Sequence, residues 1–256
     1  MKQKRISLRL IRYELLNTAG NWFTIFFGIA FPILMSLLIA NVFLGELPQE
    51  AIPAANTGVF LSMSIVIPLA TLLIGYAANY SQELENEVPL RLRLFGYHEQ
   101  SMLGAKMIAN LIFMTTALVI YTVFDSIFLR LQIPAPASAL ILIASLYLLA
   151  IILFVLAHAI ASLTGKFGPT YGITMTLYFF FLIICGMMGL PVDKLPQGLQ
   201  MVAKALPMTY ISTDFQSFWQ GGDYDFAPFL LSFLLLGLVA FAFLALSIRK
   251  NRRKLS

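Results

Sequence analysis

The residues of this chain that could do chemistry are few, and most crowd into one stretch. Ser81–Gln100 holds Glu83, Glu85, Glu87 and Glu99, four of the twelve acidic residues, with Arg91 and Arg93 among them. Such density in an apolar chain offers ion pairing to a partner. Turnover would need other groups. Hydrolysis inside a membrane calls for a serine beside a histidine, paired aspartates, or a His-Glu-x-x-His metal cluster. The two histidines, His98 and His158, complete none of these, and Glu99 follows His98 without a third partner. The single cysteine, Cys185, excludes an intramolecular disulfide and any cysteine-built metal site. It reads as a small packing residue. A phosphate-binding loop needs G-x-x-x-x-G-K-[ST]. Gly165-Lys166 is the nearest approach, but Phe167 follows and Ile160 stands where the first glycine belongs. Lys166 reads as a charge anchor at the membrane surface. No catalytic, cofactor-binding or metal-ligating residue is therefore expected on this chain.

The elements that position these groups follow from composition. The chain is 59% hydrophobic and 11% charged, with a mean hydropathy of +0.84. A soluble domain is about 25% charged, so this chain lacks the charge to cover a water-soluble globule. A span needs about 20 apolar residues. Six can be read: 22–44, 57–80, 103–129, 136–164, 169–190 and 226–248. The first 21 residues do not resemble a signal peptide, because the apolar run after them is too long.

Lysines and arginines orient the spans. With the N-terminus inside, Lys2, Lys4, Arg5, Arg9, Arg12, Arg91, Arg93, Lys106, Lys166, Arg249, Lys250, Arg252, Arg253 and Lys254 are cytoplasmic. Arg130, Lys194 and Lys204 are outside. The asymmetry follows the positive-inside rule and places both ends of the chain in the cytoplasm. The net charge of +5 reports lipid headgroups, not nucleic acid.

Local patterns add detail. An amphipathic interface helix is expected over about 5–17, with Ile6, Leu10 and Leu16 near one side and Arg5, Arg9 and Arg12 toward the other. Pro136, Pro169 and Pro228 sit near span starts, where a missing N–H costs little. Pro32 and Pro68 lie inside spans one and two and should kink them or free a carbonyl. The segment 191–225 carries Leu195, Leu199, Val202 and Leu206 at helical spacing, then Pro207, Tyr210, Phe215 and Phe218. Two short helices broken by proline, capping the bundle outside, fit it. Asp125 is the one carboxylate within a span, near its outer end, where it should reach water. His158 is expected to hydrogen-bond a neighbouring helix.

Within Ser81–Gln100, Glu83, Glu85 and Glu87 precede Pro89, and acids favour the positive end of a helix. Leu90, Arg91, Leu92, Arg93, Leu94 and Phe95 follow. Gly96 can end the helix in the left-handed conformation. A short helix over about 85–95 results, either an ordinary interfacial helix or a docking element.

Taken together, the chain resembles the membrane permease of a type-2 ABC (ATP-binding cassette) exporter. One block of likeness is the amphipathic N-terminal helix entering span one. A second is Glu85, Glu87, Arg93 and Leu94, followed by Gly104 and Lys106 opening span three. The third and most specific is GLPVDKLPQGLQMVAKALPMTY, where Gly189, Pro191, Leu195, Pro196, Pro207, Thr209 and Tyr210 match. Pro89 and the intervening Ala105 depart from the family pattern.

The resemblance implies a single permease domain over 1–256, an all-α membrane protein of six transmembrane helices. Such permeases dimerise, as two copies or with a related permease. Each pairs with a separate cytoplasmic ATPase subunit that holds the ATP and magnesium. Glu83, Glu85, Glu87, Pro89, Leu90, Arg91, Arg93, Leu94 and Gly96 would then form the coupling helix resting on that ATPase. The helices at about 191–220 would form an external gate, and spans one, two and five would face the dimer interface. Tyr178, Phe179, Phe180, Phe181 and Met187 are candidates for a translocation path. Nearly charge-free spans point to an amphiphilic or hydrophobic cargo: a drug, a peptide or a lipid-linked molecule. A plasma-membrane location is expected. The alternative is a six-span channel or secondary transporter that works without an ATPase.

Overall fold

The computed structural model describes residues 6–42 and 47–253, with side chains described up to Lys250. Lys2, Lys4, Arg5, Lys254 and the expected end of span one at Leu44 lie outside the described residues. Among the described residues six helices are long and apolar enough to cross a membrane: Trp22–Val42, Ile52–Glu85, Glu99–Phe128, Pro136–Thr164, Phe167–Ile184 and Phe226–Lys250. No β-strand occurs among them. Six crossings put both ends of the chain on one face, here termed inner.

The boundaries differ from the hydropathy reading for physical reasons. Span two continues past Tyr80 to Glu85 because the polar groups of its last turn find partners within the protein: Ser81 Oγ on Ala78 O, Glu83 on Lys106 and Glu85 on Phe167 N. Span five stops at Ile184, short of Leu190, where Gly186 and Gly189 adopt φ of +78° and +76°. Those left-handed positions suit glycine and break the helix.

Span two is the centre of the bundle. In its most apolar window 89% of residues are buried, against 22% for span one and 33% for span five. Span two was expected at a dimer interface beside spans one and five. It is instead enclosed within the protomer, because spans one, three, four and five all pack around it.

Water-driven burial does not pull helices together inside lipid, so close approach at small residues carries more of the packing. Spans one and two show it twice. A Cβ on Gly28 would lie 2.9 Å from Thr71 Cγ2, and one on Gly75 would lie 2.4 Å from Thr24 Oγ1. Each span meets the other with a glycine and a threonine. Gly28 lies in the π-helical segment Phe26–Ala30, and Thr71 and Gly75 lie in the π-helical segment Leu69–Gly75, while Thr24 belongs to the preceding turn Trp22–Ile25. The first segment lies just before Pro32 and the second just after Pro68. Each proline lacks an i→i−4 donor, and in the neighbouring π segments the backbone pairs at i→i−5: Phe31 N donates to Phe26 O, and Tyr76 N to Thr71 O. The expected proline disturbance thus takes the form of two π segments packed on each other.

Between spans five and six lie a 3-10 turn, Val192–Lys194, and three short α-helices, Gln197–Lys204, Pro207–Thr213 and Phe215–Trp219, one more than the two expected because the chain breaks again at Asp214. Pro207, Met208, Thr209 and Ile211 are buried against spans two and six. Substituting Gly75→Ala should force spans one and two apart and cost about 1–3 kcal/mol by overpacking. A lower melting temperature in detergent, partly restored by adding Thr24→Ala, is the expected result. An unchanged melting temperature would contradict the contact.

Candidate functional site

The inner face is organised by one buried cation. Lys106, two turns into span three, places Nζ 2.8 Å from Glu14 Oε2 and 2.7 and 2.6 Å from the two oxygens of Glu83. Asn17 Nδ2 donates to Glu83 Oε1 at 3.1 Å. Exposure is 3% at Glu14, 8% at Glu83 and 5% at Lys106. Each residue comes from a different element: the interface helix Leu8–Ala19, the end of span two and the start of span three. Leu10, Glu14 and Thr18 form the buried face of the interface helix. Ile6 reaches span three at Gly104, where a Cβ would stand 2.8 Å from Ile6 Cδ1.

Leu16, expected beside Leu10, is exposed on another face with Leu8, Arg9 and Arg12. Six residues at 100° each carry it away from Leu10. The exposed side is therefore mixed apolar and basic, and the protein-facing side is centred on a carboxylate.

The three acids before Pro89 have separate roles. Glu83 belongs to the ion cluster. Glu85 Oε2 accepts from Phe167 N at 2.9 Å, capping the start of span five. Glu87 sits at the N-cap of the next helix in the left-handed region, φ +57°, without a side-chain capping bond. Asn86 N donates to Gln82 O at 2.9 Å and Glu87 N to Leu84 O at 3.2 Å, so the turn out of span two is tight.

The short inner helix is Val88–Leu94, with Pro89 in its first turn. It ends in a Schellman arrangement: Gly96 N donates to Arg93 O at 2.9 Å and Tyr97 N to Leu92 O at 3.1 Å, with Gly96 at φ +86°. Arg93 pairs with Glu99 in the first turn of span three, and His98 Nδ1 accepts from Gln100 N at 3.3 Å. The helix is thus tied at both ends to spans two and three, and the Lys106 cluster ties those spans together. Its surface stays open: Leu90 is 53% exposed, Leu94 75% and Phe95 69%. Exposed apolar side chains beside Arg91 and Arg93 make a surface that fits a partner better than water.

Residues 8–218 match a model of the ABC-2 type transporter membrane family. This chain belongs to that family, as a membrane permease subunit of an ABC transporter. Among curated proteins and among solved structures, none matches the chain. Permeases of this family partner in general with an ATPase subunit.

On the outer side the family-matched block is a set of caps. Thr209 Oγ1 donates to Ala203 O at 2.6 Å, and Tyr210 OH to Lys204 O at 2.9 Å. Both carbonyls lie in the last turn of the helix Gln197–Lys204, where intrahelical donors run out, and Ala203 O also accepts from Leu206 N at 3.0 Å. Pro207 starts the next helix, and Leu195 and Pro196 lead into the one before. Gly189 and Pro191 form the turn out of span five. Ser62 Oγ reaches Ser212 O at 3.4 Å, and Gln216 Nε2 donates to Ala54 O at 2.6 Å. These bonds fasten the outer helices to span two.

The aromatic tract divides. Tyr178 and Phe181 are buried, Tyr178 against Phe27 of span one with ring centroids 5.9 Å apart. Phe179 and Phe180 face outward, and Met187 is buried beyond the end of the span. Asp125 does not reach water as expected. It is fully buried, and Ser36 of span one donates to its Oδ1 at 2.9 Å. His158 does meet a neighbouring helix, with Nδ1 2.9 Å from Tyr76 OH of span two. Glu14 and Asn17, unremarked in the sequence, carry the clearest missed signal: a carboxylate on the apolar face of an interface helix.

Removing the cation would leave two buried carboxylates uncompensated. Lys106→Met should therefore destabilise the protein by about 3–5 kcal/mol, and adding Glu14→Gln with Glu83→Gln should restore much of it. An undiminished melting temperature in the single variant would contradict the cluster. Burial holds the Glu14 carboxyl above its usual range, opposed by Lys106. The folded protein then keeps a proton that the unfolded chain gives up. That contribution is complete below the ordinary carboxylate pKa of about 4.3 and is lost as pH rises through the raised value. The melting temperature of wild type relative to Glu14→Gln should fall from pH 4 to pH 7.

Proposed function

We propose that this permease works in the plasma membrane as half of a dimeric, ATP-driven exporter of an amphiphilic or hydrophobic substrate. A separate cytoplasmic ATPase subunit supplies ATP and magnesium, and Val88–Leu94 is the coupling helix that rests on it. The observation that carries this reading is the open face of Leu90, Leu94 and Phe95 flanked by Arg91. That face stands on a helix anchored to two spans at once. Closure of the ATPase pair pushes the helix, and the ion cluster passes the displacement to spans two and three and to the interface helix. The basic residues orient this face toward the cytoplasm. The caps at Thr209 and Tyr210 support a stiff outer gate, which opens when span two moves beneath it. Nearly charge-free spans support a cargo with a large apolar part.

A proton-driven transporter is the second reading. Asp125 favours it, being a buried intramembrane carboxylate whose Oδ2 has no hydrogen-bond partner. The two readings differ in their need for an ATPase. In vesicles carrying the permease with its ATPase, Arg91→Glu with Leu94→Asp should lower permease-stimulated ATP hydrolysis at least tenfold, while membrane insertion stays intact. Undiminished stimulation would sink the coupling assignment. Transport that follows a proton gradient without the ATPase would favour the second reading.

A further inference from the structure

A groove opens to the membrane between the outer halves of spans three and four. It encloses about 610 Å³, the size of a small-molecule site. Val119 and Val123 of span three face Leu142 and Ile143 of span four across it, and Phe60 and Trp219 close its back. No carboxylate, ammonium, guanidinium or imidazole lines it. At its inner end Thr115 hydrogen-bonds Tyr147, joining the two spans. From Thr115 to the end of the span the groove follows the helix axis for ~20 Å at 1.5 Å per residue. That depth reaches toward the middle of a hydrocarbon core about 30 Å thick.

The mouth is built by the loop after span three. Gln132 N donates to Thr57 Oγ1 at 2.9 Å, Trp219 Nε1 donates to Gln132 O at 2.9 Å, and Ala135 N donates to Trp219 O at 2.8 Å. These bonds fix Leu131, Gln132, Ile133 and Pro134 as the rim. Arg130 immediately precedes that rim. It is exposed and has no ion-pair partner among the described residues. A guanidinium takes phosphate oxygens two at a time.

An uncharged slot along the membrane normal with one unpaired cation at its water end matches an acyl chain carrying an anionic phosphate head. We propose that the groove holds one acyl chain of an anionic phospholipid of the outer leaflet, with its phosphate on Arg130. The walls are mostly branched and aromatic, not the small residues that bring a second helix close. A flexible chain fits them better. The site would hold a resident lipid, independent of whichever cargo the permease moves.

The chain provides its own probe. Trp219 lines the groove, and Trp22 is the only other tryptophan. In a Trp22→Phe background, the purified permease would be reconstituted in phosphatidylcholine vesicles containing rising fractions of a brominated lipid. Brominated phosphatidylglycerol should quench Trp219 at a several-fold lower mole fraction than brominated phosphatidylcholine. Arg130→Gln should abolish that preference, and Ala139→Phe, which fills the groove, should weaken quenching by both lipids. Equal curves for the two lipids, or a preference that survives Arg130→Gln, would overturn the proposal. So would absence of quenching by either lipid. Quenching that appears only on diluting the protein in lipid would show a second copy in the groove and overturn it as well.

Discussion

One ammonium group shared by two buried carboxylates holds the inner half of this permease together. Lys106 meets Glu14 and Glu83 within 2.8 Å, where little water reaches. Buried ion pairs add little net stability compared with apolar packing, because desolvation offsets their attraction. Their stronger effect is on register. A carboxylate on the interface helix and another at the end of span two can meet one lysine in only one arrangement of the three helices. Burial raises the Glu14 carboxyl against the pull of Lys106, and the second carboxylate, Glu83, adds a smaller push in the same direction. Everything at the inner surface hangs from this point: Asn17 braces Glu83, and Glu85 of the same helix end caps span five.

The outer half is held by different means. Few charges are available there, so backbone carbonyls and hydroxyls do the joining. Thr209 and Tyr210 close one short helix, and Ser62 and Gln216 pin the outer helices to span two. Between the halves, span two passes through the bundle with most of its side chains enclosed. Its π segment packs against span one, Thr71 on Gly28 and Gly75 on Thr24. Under the proposed coupling, a push at Val88–Leu94 would enter span two, the most enclosed of the six. A π segment is also the part of a helix whose hydrogen bonding shifts most readily, which makes this contact the natural place for span two to yield.

Much of the fold was legible in the sequence because lipid imposes simple lengths. Six apolar runs of sufficient length could only be six spans, and Gly96 and Pro89 marked the short helix between two of them. The end of span five was misread because apolar Met187, Met188 and Leu190 continue the hydropathy, while Gly186 and Gly189 break the backbone. The candidate site was half legible. Glu83, Glu85 and Glu87 stood out as a charged group, yet nothing in their spacing distinguished a buried partner, a helix cap and a left-handed turn. Glu14 passed unnoticed because its partner is 92 residues away in sequence. Asp125 lay near a span end and still proved buried, since depth along a helix says nothing about the face turned to Ser36.

Through the Lys106 cluster the N-terminal helix and the inner helix are anchored to the same two spans. Spin labels at Leu16 and Leu94, both exposed, allow their separation to be measured by pulsed electron resonance in lipid nanodiscs. The account predicts a single narrow distance distribution in the otherwise wild-type chain. Replacing Lys106 by glutamine should broaden it while the spans stay folded. An equally narrow distribution in the Lys106→Gln protein would show that the two helices are held by something else.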